Sequence, residues 1–201
     1  MRTAVIVVAG GRSTRFGSDK LKAPLGPGQT VLSRTLAGID HLDDDTQLGL
    51  VRPVVVVGPA DRAIPAATDR VCFVLEDPPG SGPAAAVLAG ARAACVADVL
   101  VVMPGDAPFA AGAVPRLVAA LVDSHSGLPA DAAVAVDPTG HRQHLLLAVR
   151  AAGAWDLDAD LCGRPARQLL EGLTVVEVPV TEREALDIDE PGDLDRIRSL
   201  S

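Results

Sequence analysis

Residues 3–22, TAVIVVAGGRSTRFGSDKLK, largely decide how this sequence is interpreted. The first seven, Thr3–Ala9, are almost all apolar and rich in β-branched side chains, which predicts a strand covered on both faces. The strand stops at two adjacent glycines. The loop that follows carries arginines and another glycine, and it ends with the only two lysines in the chain.

Further apolar runs predict six more strands: Pro53–Val57, Val71–Leu75, Val99–Met103, Ala132–Val136, Leu145–Val149 and Thr174–Val180. Helical spacing occurs between and after them, in Thr30–Ile39, Pro83–Val96, Val114–Leu121, Pro165–Leu170 and Pro191–Leu200. This alternation predicts an α/β fold with a doubly wound, mostly parallel, Rossmann-like sheet. The turn signal Asp137-Pro138-Thr139-Gly140 leaves no room for a helix, so it predicts one antiparallel excursion with a strand at an edge.

The composition limits the possible functions. A chain of 201 residues with 48% hydrophobic residues predicts one packed domain over residues 1–201. A net charge of −8 argues against a general nucleic-acid or acidic-membrane surface, so an anion would need a local site. Three widely spaced cysteines, no membrane-length apolar run and no signal-peptide pattern predict a cytoplasmic protein. The sequence does not indicate an oligomeric state.

The glycine loop predicts a phosphate-binding site. The dinucleotide-binding and P-loop motifs do not fit, because Gly11 and Gly17 are separated by five residues and Ser18 follows. Glycines nevertheless let backbone N–H groups approach phosphate oxygens, while Arg15 and Lys20 supply charge. The alternative is a tight surface turn with incidental arginines.

Carboxylates follow two other predicted elements. Asp106 ends the strand Val99–Met103, where it is well placed to hold Mg²⁺, a cation that prefers carboxylate and phosphate oxygens. Asp187 and Asp189 would point to the same side of an extended segment and could share that metal. Alternatively, Asp189 or Glu190 only caps the last helix.

The loop from Glu76 to Pro83 leads into an alanine-rich helix. The N-terminus of that helix offers unpaired N–H groups to an anion or to the edge of a base. Glu76, Asp77 and the carbonyl groups around Gly80–Gly82 are, by their position, candidates to accept hydrogen bonds from such a base. The alternative is a Pro/Gly-rich connection without a ligand.

Five segments, in chain order, carry a family resemblance: Ala9–Lys20 (AGGRSTRFGSDK), Gly82–Ala86 (GPAAA), Pro104–Phe109 (PGDAPF), Gly140–Leu145 (GHRQHL) and Asp187–Leu194 (DIDEPGDL). They resemble the patterns A-G-G-x-x-x-R-M-G-x-x-K, G-P-L-A-G, P-C-D-M-P-F, G-R-x-Q-P-L and N-[IV]-N-x-P-x-[DE]-L. These patterns belong to the nucleotidyltransferases of the molybdenum cofactor, above all the guanylyltransferase. The sequence departs from them at Phe16, Gly105, Ala107 and His144, and Lys22 and Pro24 resemble elements of cytidylyl- and sugar-nucleotide transferases.

The resemblance implies Mg²⁺-dependent transfer of GMP from GTP to molybdopterin, with release of pyrophosphate. Arg15, Lys20 and Asp106 would be catalytic, and Asp106, Asp189 and Asp187 would hold the metal. The nucleotide-binding residues would be Ala9, Gly10, Gly11, Arg12, Ser13, Gly17, Glu76, Asp77, Gly82 and Pro83. Three alternatives stay open: CTP as the donor, another phosphorylated acceptor such as phospholactate, and a non-catalytic nucleotide-binding partner. The roles of Lys22 and His144 are also open.

Overall fold

A computed structural model of the chain describes residues 1–11, 13, 15–45, 48–62, 70–94, 96–122 and 130–200. Its strands are β1 (Thr3–Val8), β2 (Pro24–Gly26), β3 (Gln29–Thr30), β4 (Leu50–Val57), β5 (Val71–Val74), β6 (Val99–Pro104), β7 (Ala132–Val136), β8 (Arg142–Arg150) and β9 (Val175–Pro179). Its α-helices are α1 (Val31–Asp45), α2 (Pro83–Ala93), α3 (Val114–Val122) and α4 (Asp193–Ser199). Short 3-10 helices lie at Lys20–Lys22, Ala60–Arg62, Ala110–Ala113 and Ala166–Leu170.

Seven strands form one mixed sheet in the order β5-β4-β1-β6-β8-β7-β9, and β2 and β3 form a separate small hairpin. All neighbouring pairs in the large sheet are parallel except those that involve β8. This confirms the predicted mostly parallel sheet with one antiparallel excursion. The prediction of an edge strand there is wrong, because β9 pairs with β7 and β6 pairs with β8, so both strands of the excursion lie inside the sheet.

The two faces of the sheet are buried under different helices. Along β1, Val5 and Val7 belong to the core cluster that includes buried side chains of α1, α3 and α4. Ala4 and Ile6, which alternate with them, belong to the cluster that includes buried side chains of α2. A strand alternates its side chains between faces, so a continuous apolar run is what a strand covered on both faces requires.

Helix α2 lies unusually close to the sheet at Gly90. A Cβ atom at that position would be 2.4 Å from Ile6 Cγ2 and 3.0 Å from Val57 Cγ2. Real side chains cannot approach so closely, so the contact between helix and sheet depends on glycine. This fixes the C-terminal half of α2 against β1 and β4.

The sheet changes winding direction at β1. The chain runs from β1 to β4 and β5 on one side, then returns to β6 on the other side. Open α/β sheets bind ligands beyond the carboxyl ends of their strands at such a switch point. The loop after Val8 and the loop after Pro104 meet there. No described helix is long and apolar enough to span a membrane.

Candidate active site

The glycine loop starts where β1 and β4 come into close contact. Ala9 N donates to Val57 O at 2.7 Å. A Cβ on Gly58 would lie 2.5 Å from Ala9 O, so only glycine fits beside the start of the loop. The loop turns at Ser13, with φ of 50°, and again at Gly17, with φ of 78°. Arg12 and Thr14 lie outside the described residues.

The end of the loop is fixed by side-chain hydrogen bonds. Lys20 N donates to Ser13 Oγ at 3.3 Å, which ties the two arms of the loop together. Asp19 Oδ1 accepts from Leu21 N at 3.2 Å and so caps the 3-10 helix Lys20–Lys22, and Leu21 is buried. An aspartate cap and a buried leucine therefore set the direction of the Lys20 side chain.

Arg62, which was not among the predicted site residues, lies at the end of the 3-10 helix Ala60–Arg62 after β4. Its Nε donates to Asp19 Oδ2 at 2.7 Å, and its Nη1 and Nη2 donate to Ala9 O and Gly11 O. Only 8% of the Arg62 side chain is exposed. No motif pointed to this residue, because its partners lie more than forty positions earlier in the chain.

Lys20 and two of the predicted aspartates form the centre of the site. Lys20 Nζ lies 2.6 Å from Asp106 Oδ2 and 3.2 Å from Asp189 Oδ1. Burial would lower the pKa of Lys20, but the carboxylates of Asp106 and Asp189 outweigh it, so the pKa is raised above 10.5. Arg15 Nη1 lies 3.2 Å from Asp189 Oδ2, and most of the Arg15 side chain is exposed.

The segment that carries Asp187 and Asp189 is anchored between them. Ile188 is fully buried, its N–H donates to Asp106 O at 3.1 Å, and its carbonyl accepts from Lys20 Nζ. Partial desolvation, and next the charges of Asp106 and Asp189, raise the pKa of Asp187. All three aspartates therefore lie at one end of the sheet.

The alternative role of Asp189 or Glu190 as a helix cap is not what the structure contains. Asp193 Oδ2 accepts from Asp189 N at 2.9 Å and from Glu190 N at 2.8 Å. The first residue of α4, Asp193, thus fixes the backbone of Asp189 and Glu190 through its side chain. The carboxylate of Asp189 therefore does not cap the helix, and it contacts Lys20 and Arg15 instead.

The donor set between Asp106 and Asp189 suits a hard divalent cation. Two carboxylates already hold one cation there, the ammonium group of Lys20. Mg²⁺ is commonly bound by one or two carboxylates together with water and substrate phosphates. Among the described residues, no group of three or more His, Cys, Asp or Glu side chains is arranged to hold a metal. Phosphate oxygens would have to complete the coordination.

A cleft of about 310 Å³ opens between the glycine loop and α2, and we call it the donor cleft. Its lining includes Gly10, Gly11, Glu76, Gly80, Gly82, Pro83, Ala86, Pro104, Asp106 and Leu145. Asp77 is exposed and does not line this cleft. The structure thus brings Glu76, but not its neighbour, to the predicted nucleotide-binding residues.

Glu76 is a buried acid with spare hydrogen-bonding capacity. Only 5% of the residue is exposed, and its Oε1 accepts from Gly80 N at 2.9 Å. Its Oε2 is buried and has no hydrogen-bond partner among the described residues. Both carboxylate oxygens lie less than 4 Å from where a Cβ of Gly10 would be. Buried polar atoms are normally paired, so this one suits a ligand that donates a hydrogen bond.

A second cleft of about 330 Å³ adjoins the first, and we call it the acceptor cleft. Its lining includes Pro104, Asp106, Ala107, Arg142, Gln143, His144, Leu145, Leu146, Ala166, Glu184, Ala185 and Asp187. Pro104, Asp106 and Leu145 line both clefts. Burial, and next the charges of Arg142 and Arg167, lower the pKa of His144. Asp106 therefore stands where the two clefts meet.

A Rossmann-like sheet with a glycine loop, a lysine and an aspartate at its switch point suits a nucleotide-binding enzyme. The model of the MobA-like NTP transferase domain matches residues 5–178, and the chain belongs to that family. The enzyme is thus a nucleotidyltransferase whose substrates include a nucleoside triphosphate. Enzymes of this kind usually use a divalent metal ion. No functionally curated protein is significantly similar to the chain in sequence.

Solved structures share the fold over the whole chain. The homologue of Rv0371c from Mycobacterium sp. strain JC1 is 26% identical with a TM-score of 0.68, covering 98% of this chain and 96% of that one. Molybdopterin-guanine dinucleotide biosynthesis protein A from Archaeoglobus fulgidus is 24% identical with a TM-score of 0.65, covering 100% and 98%. Rv0371c from Mycobacterium tuberculosis H37Rv, in complex with manganese, is 21% identical with a TM-score of 0.66, covering 98% and 97%.

Proposed function

We propose that this enzyme transfers GMP from GTP to a small phosphorylated acceptor, of which molybdopterin is the first candidate, and releases pyrophosphate. The observation that carries the proposal is the position of Asp106 between two adjoining clefts. A transferase needs one site for each reactant and a charged group where they meet. We also propose that residues 1–201 act as one domain, whereas the cytoplasmic location stays a prediction.

The donor triphosphate would bind against the loop from Gly10 to Gly17. Backbone N–H groups of this loop would contact the β- and γ-phosphates, and Arg15 would balance the charge of the departing pyrophosphate. Lys20 is a mostly buried cation whose Nζ lies 2.6 Å from Asp106, where the clefts meet, so it would stabilise the charge that develops around the α-phosphorus.

Asp106 and Asp189 would hold Mg²⁺, with Asp187 beside them. When bound, the metal supplies positive charge to the phosphate oxygens. The chain needs no nucleophile of its own, since a phosphate monoester with a second pKa of about 6 is largely dianionic at neutral pH. The role of the clefts is to align the acceptor oxygen, the α-phosphorus and the leaving group.

Glu76 supports guanine as the base. Its unpaired Oε2 would accept a hydrogen bond from N1–H or N2–H₂ of guanine. The other predicted acceptor, Asp77, is exposed and points to no role in the donor cleft. A base without a donor at this position would leave a buried carboxylate oxygen unpaired, which disfavours it.

The acceptor cleft contains a cation, Arg142, that would bind an anionic group of the acceptor. Arg142, Gln143 and His144 line it, and the guanidinium of Arg142 also pairs with Glu177 at 2.7 Å. Arginine binds phosphate through two parallel hydrogen bonds, so Arg142 is the residue we assign to the acceptor phosphate. CTP as donor and phospholactate as acceptor are the alternatives within the same chemistry.

The test of the function is pyrophosphate release by purified protein with Mg²⁺, molybdopterin and each of GTP, CTP, ATP and UTP. We expect turnover with GTP, and we expect none with folded Asp106→Ala. The matched control is Asp98→Ala, because Asp98 pairs with Arg2 at the opposite end of the strands. Unchanged turnover of folded Asp106→Ala would refute the role of Asp106, and turnover with CTP alone would move the enzyme to cytidylyl transfer.

The role of Glu76 is tested separately. We expect Glu76→Gln to reduce the preference for GTP over CTP in kcat/KM by about tenfold or more, since one charged hydrogen bond is changed. Asp77→Asn is the control and should keep the preference. An unchanged preference in folded Glu76→Gln would show that other atoms select the base.

A further inference from the structure

We propose that Arg62 is a positioning residue that holds both ends of the glycine loop and turns Gly10 N–H toward the donor cleft. The proposal rests on the proposed function, because it assigns that N–H group to the phosphates of the donor nucleotide. Arg62 itself would not touch the nucleotide. It would act from behind the loop.

Each of the three guanidinium nitrogens of Arg62 donates one hydrogen bond. Nε donates to Asp19 Oδ2 at 2.7 Å, Nη2 donates to Gly11 O at 3.4 Å, and Nη1 donates to Ala9 O. Ala9 and Gly11 lie at the start of the loop and Asp19 follows its end, so one planar group connects the two ends of the loop. The side chain is 8% exposed, which means that water does not compete freely for these bonds. A lysine in this place would supply the charge without the fixed fork.

The bond to Ala9 O determines the orientation of the next N–H group. The peptide between Ala9 and Gly10 is trans, because the cis peptide in the described chain is Asp77–Pro78. In a trans peptide the C=O and N–H groups point in opposite directions. Since Ala9 O points at Arg62, Gly10 N–H points away from it. Gly10 lines the donor cleft, so we assign this N–H group, which points away from Arg62, to a phosphate oxygen bound there.

The peptide plane is also held from the strand side. Ala9 N donates to Val57 O at 2.7 Å, and Gly58 leaves room for Ala9 O. The 3-10 helix Ala60–Arg62 begins two residues later, so the same connection that leaves β4 supplies the guanidinium group. Strand pairing therefore fixes where Ala9 lies, and Arg62 fixes how the following peptide is turned.

At the exit of the loop, Arg62 acts through Asp19. This carboxylate accepts from Arg62 Nε with one oxygen and from Leu21 N with the other. It thereby caps the turn that begins with Lys20. Without the guanidinium group, Asp19 would lose its charged partner, and the turn that presents Lys20 would be held less firmly.

A purely structural role and a positioning role of Arg62 predict different losses of ligand affinity when the side chain is removed. A structural residue would lower the free energy of unfolding and weaken all ligands alike. A positioning residue for Gly10 N–H should selectively weaken ligands that carry β- and γ-phosphates. The comparison of a nucleoside monophosphate with a triphosphate separates the two roles.

The experiment measures binding of GMP and of a GTP analogue with a methylene bridge between the α- and β-phosphorus atoms, both with Mg²⁺, by calorimetry. We expect Arg62→Ala to weaken the analogue by about tenfold or more, since a hydrogen bond to a charged oxygen is misaligned, and GMP by less than about twofold. Arg62→Lys should recover little of this loss. Guanidinium ion well below denaturing concentrations should partly restore Arg62→Ala, whereas methylammonium should not.

The matched control is Arg2→Ala, which removes an arginine paired with Asp98 at the far end of the strands and should bind both ligands normally. If Arg62→Ala does not fold, Asp19→Asn carries the test, because its amide has one neutral acceptor oxygen in place of the two that serve Arg62 Nε and Leu21 N, while Arg62 keeps its bonds to Ala9 O and Gly11 O. We expect a smaller loss, again restricted to the analogue. Equal loss of both ligands, or no loss in folded variants, overturns the proposal. Wild-type protein that binds neither ligand overturns the proposed function itself.

Discussion

Replacing Lys20 with Met should destabilise the metal-free protein. The substitution removes the ammonium group that lies 2.6 Å from Asp106, while both side chains are mostly buried, with 13% and 20% exposed. Removing one member of a fully buried pair costs about 3–5 kcal/mol, and residual exposure reduces this to about 2 kcal/mol. Asp189 adds little, because about half of its side chain is exposed, 52%.

The raised pKa of Lys20 determines how its contribution to the free energy of unfolding depends on pH. A lysine whose pKa is higher in the folded protein stabilises it fully below its unfolded value of 10.5, and this stabilisation is lost as the pH rises through the folded value. At neutral pH the whole contribution is therefore present. For a domain of this size, about 2 kcal/mol corresponds to a Tm lower by roughly 4–8 °C.

The assay is urea unfolding with EDTA and then with Mg²⁺. Lys20→Met should unfold more easily in EDTA, and Mg²⁺ should stabilise it more than wild type, because the cation enters between the uncovered carboxylates. Lys22→Met is the matched control, since the other lysine pairs with Asp61 at 2.7 Å and is 46% exposed. It should change stability by less than about 0.5 kcal/mol. A Lys20→Met protein as stable as wild type in EDTA would refute this reasoning.

Two further predictions concern the scaffold. Gly90→Ala should lower the free energy of unfolding in urea by about 1–3 kcal/mol, because the new Cβ would lie 2.4 Å from Ile6 Cγ2. The control is Gly192→Ala, whose new Cβ would meet nothing within 4 Å. Equal stability of the two variants would contradict the close approach of α2 to the sheet. Asp137 has its pKa lowered to about 2, chiefly by the Thr139 hydroxyl, so its stabilising effect is present above 3.8 and lost as pH falls through about 2. Thr139→Val should raise that pKa toward 3.8 in a carbon NMR titration, and a pKa that stays near 2 would assign the shift to the backbone donors.

Much of the fold could be predicted because its strands are buried on both faces. All seven predicted strands occur, and the turn at Asp137–Gly140 joins two antiparallel strands as expected. The small hairpin of β2 and β3 was missed, since strands of three and two residues leave no periodic pattern. The order of strands was also beyond prediction, because it depends on pairing between segments far apart in sequence.

The part of the site that could be predicted consists mainly of residues in the loops that follow strands, because the carboxyl ends of parallel strands lie at the same edge of a sheet. Lys20, Asp106 and Asp189 come together because the ends of β1 and β6 meet and Ile188 is buried beside them. Sequence could not choose between Glu76 and Asp77, since only the fold decides which one faces Gly10. The sequence did not indicate Arg62, because two of its three acceptors are backbone carbonyl groups, which any residue possesses, and the third, Asp19, is far away in the chain.

The reversed direction of β8 has a consequence for how this enzyme could acquire new acceptors. β1 and β6 reach the site with their last residues, Val8 and Pro104, and continue as loops, whereas β8 runs in the opposite direction and enters the site with its first residues, starting at Arg142. The acceptor cleft is therefore partly walled by a strand whose later residues are locked into the sheet. Divergence there can proceed by exchanging single side chains on this strand, while the glycine loop, which we propose binds the donor nucleotide, is left unchanged.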